Sequence, residues 1–287
     1  MTPPGDYTAT RMIGDAAVTI ISEGSMSWAP KFVAPEAEWR RAVPEAGADG
    51  AITIGLNLAH IRIGSASILI DPGLDDPDSA WQRRFAARWP GVRRSPGLER
   101  ALAALGVRAG EVTHVCITHA HGDHFGGVTV EREGRDVARF PRARHLIGRA
   151  DWARNPARED RGSELAARLG IVDGLGLLDL VDDEREIVPG VTMIPAPGET
   201  PGHSIVRVRS AGEAFYYVGD LFHLPCEVEH HDWVPAGRDQ AAMRASRGRL
   251  VADAVPERAT LVFTHEQFPA WGRIARERGG YRWERAW

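Results

Sequence analysis

The sequence predicts an α/β fold in which two mixed β-sheets pack together with helices on their outer faces, an αββα sandwich. Two observations carry this expectation. Strand patterns followed by helix patterns run along the chain twice, and residues able to bind metal stand just past the ends of apolar runs. A chain of 287 residues, 43% hydrophobic and 26% charged, can bury a sizeable core as a single domain spanning residues 1–287.

The elements follow in order. Residues 17–22 read as a strand and lead into a stretch containing Pro and Trp, residues 28–50. Runs over 52–63 and 67–71 form a hairpin at Gly64, with Ile61, Ile63, Ile68 and Ile70 alternating inward. A helix is expected from Ser95-Pro96-Gly97, with a serine cap, proline at the first helical position, Leu98, Leu102 and Leu105 on one face and Gly106 as terminator. Residues 112–118 read as a buried strand. The second half repeats the scheme, with strands at 144–147, 177–181, 191–194, 205–209 and 215–218, a long helix over 238–255, and a last strand around Leu261. The sequence contains no internal repeat and no low-complexity segment.

Composition narrows the function. A formal charge of −4 gives no general attraction to nucleic acid or anionic lipid. Lys31 is the only lysine, so arginine supplies nearly all the basic charge. Met1-Thr2-Pro3-Pro4-Gly5-Asp6 has neither a basic region nor an apolar stretch of the kind a secretory signal needs, and no apolar run approaches the roughly 18 residues of a membrane span. A cytoplasmic protein is expected, binding neither membrane nor nucleic acid. Its two cysteines suit that compartment: Cys116 belongs to a core strand, and Cys226 lies near the site without an assigned role.

The richest segment is Thr118-His119-Ala120-His121-Gly122-Asp123-His124. In an extended turn His119 and His121 point to one side and can share a cation, while Asp123 and His124 face a second. Three further candidate ligands stand beside strands: His203 before residues 205–209, Asp220 after residues 214–219, and His265 after residues 260–264. Seven ligands exceed the three or four that one catalytic zinc takes from a protein, so two divalent ions are expected. Zn2+ is the first choice, with Mn2+, Fe2+ or Co2+ as alternatives.

In this order, H-x-H-x-D-H, then Pro201-Gly202-His203-Ser204, then Gly219-Asp220, then a strand-end His265, the chain resembles the metallo-β-lactamase-fold hydrolases over most of its length, the Leu69-Ile70-Asp71-Pro72-Gly73 turn included. The resemblance implies the same sandwich and a dinuclear metal site. His119, His121 and His203 would hold one ion, Asp123, His124 and His265 the other, with Asp220 bridging and Asp71 orienting the ligand loops from beneath. Gly219-Asp220-Leu221-Phe222-His223 looks most like the branch containing methyl parathion hydrolase and the lactonases. Two departures stand out. Many relatives read T-P-G-H-T-P-G-H-S where this chain has Glu199 in place of the first histidine, and the lactonases carry tyrosine where it has His223.

The expected enzyme is a metal-dependent hydrolase of small ester-like substrates, an ester, a lactone or an organophosphate, attacked by a hydroxide bridging two cations that lower its pKa to near 7. Asp123 and Asp220 are the expected catalytic acids, Asp123 moving a proton to the leaving group. His223, Phe222 and Trp28 are candidate substrate contacts. Residues 25–50, too apolar for a free loop, form a flap, a subunit contact in a homodimer, or ordinary packing. His60, His114 and His145 are expected to be structural, and His230 and His231 solvated. The alternatives are another hydrolase of the fold, such as a β-lactamase or a glyoxalase II-like thioesterase, and a non-catalytic protein holding a ligand in a metal pocket. A nuclease is disfavoured by the lack of a basic stripe.

Overall fold

The computed structural model describes residues 6–89, 91–94 and 97–286. Two mixed sheets stack with helices outside them, as the order of patterns predicts. The first sheet runs Thr8–Ile13, Ala16–Trp28, Ile52–Ile63, Ala66–Ile70, His114–Ile117, Arg144–Gly148 and Leu178–Val181, with the short Arg93–Arg94 strand pairing Ala16–Trp28. Its first four strands and the Arg93–Arg94 strand pair antiparallel, and Ala66–Ile70, His114–Ile117, Arg144–Gly148 and Leu178–Val181 are joined in parallel. The second runs Arg185–Val188, Val191–Pro195, Ser204–Ser210, Glu213–Tyr217, Thr260–Val262, Trp271–Glu277 and Gly280–Arg285, with one parallel pair between Glu213–Tyr217 and Thr260–Val262.

Between the sheets lies a layer of alternate side chains: Val18, Ile20, Ile61, Ile68 and Ile70 from the first, and Met193, Val206, Val208, Phe215, Tyr217 and Val262 from the second. Strand geometry sends successive side chains to opposite faces, so the same strands feed a second layer beneath the helices. On the first sheet Leu58, Leu69, Val115 and Ile117 meet Leu98 and Leu102 of the helix Leu98–Ala104 and Leu165, Leu169 and Val172 of the helix Glu164–Gly174. On the second, Ile205, Tyr216 and Leu261 meet Met243, Leu250 and Val251 of the helix Gln240–Ala254.

The Gly64 hairpin forms in the expected register, Ile61 opposite Ile68 and Ile63 opposite Ala66. The helix expected from Ser95 begins at Leu98, with Gly97 in the cap position; Ser95 and Pro96 lie outside the described residues, as do Met1 to Gly5. The last two strands of the second sheet, Trp271–Glu277 and the edge strand Gly280–Arg285, carry an arginine or glutamate at many positions and escape an apolar-run criterion. Residues 25–50 pack against the body. Phe32, Trp39 and Val43 are buried with Ile54 and Trp233, and Trp28 ends a strand that the sequence pattern stops at Ser22. Among the described residues, no helix is long and apolar enough to cross a membrane.

Candidate active site

The ligand loops leave the ends of the central strands and meet along one edge of the sandwich. The His114–Ile117 strand delivers Thr118 to His124, whose last residues wind into a single helical turn, Gly122–Phe125, setting Asp123 and His124 beside each other. Gly219, at φ 55°, delivers Asp220. A Cβ there would stand 2.8 Å from His203 Nε2 and 3.1 Å from Thr118 Oγ1, so glycine alone admits this approach. His265 follows Thr260–Val262 and is tied to the other sheet: Gly55 N donates to its carbonyl at 3.0 Å, and Asn57 Nδ2 donates to Thr264 O and Glu266 O.

Asp71 sits under the first loop in a left-handed conformation, φ 52°, that aspartate tolerates better than most residues. Its Oδ1 accepts from Thr118 N at 2.7 Å, and its Oδ2 accepts from Thr118 Oγ1 and from His124 Nδ1, each at 2.8 Å. With its proton given to Asp71, Thr118 Oγ1 accepts from His119 Nδ1 at 3.0 Å. Two other ligand rings are held the same way: His203 Nδ1 donates to Ala196 O at 3.0 Å, and His265 Nδ1 to Gly55 O at 2.9 Å. Each bond fixes the tautomer that turns the Nε2 lone pair inward.

Asp151 is a positioning residue the sequence reading passed over. Buried, it accepts from Ala120 N at 2.8 Å and from Thr200 Oγ1 and Gly202 N at 2.6 Å, clamping the two histidine loops together. The signal was its place just after the strand Arg144–Gly148, at the edge where the ligands emerge.

Two clusters of donor atoms result, each within 4.8 Å: His119, His121, Glu199 and Asp220 in one, Asp123, His124 and His265 in the other. Asp220 joins them, with Oδ2 3.6 Å from His119 Nε2 and 3.2 Å from His265 Nε2, and Oδ1 3.4 Å from His124 Nε2. Glu199 enters where the sequence assigned His203. The His203 ring is buried beside His119, ring centres 5.2 Å apart, and its Nε2 accepts from Asp220 N at 3.2 Å.

Divalent ions fit this donor set. His119 Nε2 and His121 Nδ1 face each other at 2.8 Å, and the buried His124 Nε2 and Asp220 Oδ1 have no hydrogen-bond partner. Burial lowers the pKa of His119, His121 and His203, keeping them neutral as ligands must be. His124 and His265 are raised, because Asp220 and Asp123 outweigh the burial that disfavours charge. A cation at that position replaces the proton those carboxylates attract.

Above the donors a cavity of about 220 Å3 opens. One wall is apolar, formed by Met26, Trp28, Ile54, Phe85 and Trp89; the other carries His121, Asp123, Asp220, His223, His265 and Arg238. Trp28 stacks on His223, ring centres 5.0 Å apart. His223 is held through its backbone N–H and that of Leu224, both donating to Glu227 Oε1 at 3.1 Å, while its Nε2 lies 3.5 Å from Asp220 Oδ2. Burial works against its protonation, yet Glu227, Asp220 and Glu199 lift its pKa to about 9.

Three expectations need correction. Phe222 does not face the cavity: it is fully buried against Phe263 and His231, because the turn after Asp220 sends neighbouring side chains to opposite sides. His230 and His231 are half-buried rather than solvated, stacked on Trp233 and Tyr281. Arg238 stands outside the helix expected to begin with it. Asp239 caps that helix, accepting from Ala242 N at 3.0 Å, and frees Arg238 for the cavity. His60 and His145 are buried structural residues, His114 is half-buried, and Cys116 is core; Cys226 is buried beside Leu224.

The profile of the metallo-beta-lactamase superfamily matches residues 60–265. The protein called Probable metallo-hydrolase Mb2322c from Mycobacterium bovis is 26% identical over 247 residues, covering 75% of this chain and 77% of its own. N-acyl homoserine lactonase AttM of Azorhizobium caulinodans is 29% identical over 158 residues, 52% of this chain and 56% of its own. The solved structure of AidC, a dizinc quorum-quenching lactonase in complex with the product N-hexanoyl-L-homoserine, superposes with a TM-score of 0.78 at 22% identity, covering 98% of both chains. This chain belongs to the metallo-β-lactamase superfamily and is a metal-dependent hydrolase.

Proposed function

We propose that the enzyme hydrolyses small, largely apolar ester-like substrates, with lactones and carboxylic esters ahead of phosphotriesters, using two divalent ions, Zn2+ first among them. The observation that carries this reading is the cavity, in which Trp28, Met26, Ile54, Phe85 and Trp89 face the donor cluster across a space sized for a small molecule. The lactonases among its relatives support it.

His119, His121 and His203, with Glu199 beside them, would hold one ion, and Asp123, His124 and His265 the other, with Asp220 between. When bound, the ions supply Lewis-acid polarisation of the scissile carbonyl and an acidified water. The side chains do the rest. Asp71, Thr118 and Asp151 fix the ligand loops. Asp123, partly exposed at the cavity floor, is placed to carry a proton toward the leaving oxygen. The aromatic wall excludes water and seats the acyl group. His223, reaching the cavity between Trp28 and His265, stands where it can donate to a substrate oxygen.

The test is a side-by-side assay of the metal-loaded enzyme on an aryl ester, an acyl lactone, an organophosphate triester, a cephalosporin, a glutathione thioester and a short RNA. The ester or lactone is expected to show the highest kcat/KM. A tenfold advantage for the cephalosporin or the thioester, about 1.4 kcal/mol in transition-state binding, overturns the assignment.

A further inference from the structure

Arg238 reaches the cavity on a short leash. Its Nε donates to Glu199 Oε1 at 2.6 Å, and that carboxylate is itself buried 3.4 Å from His121 Nδ1. Among the described residues this is the only hydrogen bond of the Arg238 side chain, which is 29% exposed and lines the cavity. Its Nη1 and Nη2 groups are thus without a partner among the described residues. The cavity's other polar side chains are histidines and aspartates and the rest of its lining is largely apolar, so Arg238 is its only guanidinium among the described residues.

A guanidinium anchored through Nε presents its remaining N–H groups as a planar fork, a geometry that suits planar oxygen acceptors. Two features of the chain build this anchor: the buried Glu199 carboxylate, and the Asp239 N-cap, which starts the helix at Gln240 and leaves Arg238 outside it. We propose that Arg238, held by Glu199, determines specificity by binding a second, non-scissile planar oxygen acceptor on the substrate's acyl part, an amide carbonyl or a carboxylate. This rests on the ester-hydrolase reading and names the substrate class within it: acyl groups carrying polar oxygen a few bonds from the bond that breaks.

The test uses three phenyl esters with six-atom acyl chains: phenyl hexanoate without a second oxygen, phenyl N-acetyl-β-alaninate with an amide carbonyl, and monophenyl adipate with a carboxylate. Arg238→Met is expected to raise KM for one or both oxygen-bearing esters about 10- to 100-fold, the range for hydrogen bonds to a charged group. KM for phenyl hexanoate should change less than threefold, with kcat and metal content held. Whichever of the two esters responds identifies the acceptor. Arg238→Lys, which keeps a cation beside Glu199 without the planar fork, should give the same pattern in weaker form. Calorimetric binding of adipate and N-acetyl-β-alanine relative to hexanoate reads the same preference without turnover. An equal effect on all three esters, or none, together with unchanged relative binding, overturns the role of Arg238. A wild-type enzyme inactive on phenyl hexanoate defeats the ester-hydrolase reading instead, and the calorimetry still decides for or against Arg238.

Discussion

Asp71 Oδ2 lies 2.8 Å from His124 Nδ1, joining residues 53 apart in sequence, and the same carboxylate accepts from the backbone and hydroxyl of Thr118. One buried acid thereby orients two histidines, His124 directly and His119 through Thr118. Asp71→Asn keeps the left-handed backbone but puts an amide nitrogen where an acceptor is needed. Metal affinity is expected to drop about 10- to 100-fold, the scale for lost outer partners of metal ligands. Competition with a graded chelator measures it, and unchanged affinity would show that the loops hold their shape without Asp71.

Metal stoichiometry is the next expectation. Two donor clusters joined by Asp220 predict two divalent ions per chain, read by elemental analysis after gentle dialysis. A content that never exceeds one under zinc or manganese excess would falsify the dinuclear site.

Asp220→Asn removes the charge that faces His119, His124 and His265 together. Turnover should fall by about 10- to 1,000-fold, taking the loss of an oxyanion stabiliser as the nearest scale, and metal content should fall with it. His223→Ala should leave metal content closer to wild type. The opposite ranking of the two variants in metal content would exchange their roles.

Glu227 and Arg247 form a fully buried ion pair, and Glu227 also accepts from the backbone of His223 and Leu224. Glu227→Gln leaves an uncompensated guanidinium in the interior, costing about 3–5 kcal/mol of stability. Denaturant unfolding should record a lower midpoint with an unchanged slope. A midpoint within experimental error of wild type would mean that Arg247 is satisfied by the carbonyls of Leu221, His231 and Trp233 alone.

His60 and His145 set an acid limit. Burial, with the Arg62 charge added, lowers His60 to about 4; burial outweighs a backbone bond at Ala143 to lower His145 to about 4. Both are near 6.5 when unfolded, so the unfolded chain binds more protons between those values. Their stabilisation is complete above pH 6.5 and is lost as pH falls toward 4, by up to roughly 3 kcal/mol each. Replacing both with glutamine should flatten the fall in unfolding free energy across that window; an unchanged slope assigns acid sensitivity to other groups.

The sandwich and the histidine-aspartate cluster were legible because both leave local marks. Alternating or apolar runs at 52–63, 112–118 and 205–209 announce strands, and His119, His121, Asp123 and His124 sit within one turn, close enough to read as a unit. Phe222 and His223 resisted the same treatment: adjacent in sequence, one is buried in the core and the other faces the cavity, and only the turn after Asp220 separates them.

By itself, then, the sequence determined the succession of most strands and helices along the chain and most of the candidate metal-binding residues, since each follows from periodicity or from spacing within a few residues. Tertiary structure decided what depends on distant segments meeting. Asp151 clamps Ala120 to Gly202, Glu199 comes to stand beside His121, and Arg238 turns from a helix residue into a cavity residue. The physical reason is range. Strand pattern and ligand type are fixed by a residue and its near neighbours, whereas a carboxylate's partner is whatever donor the packing of the two sheets brings within about 3 Å.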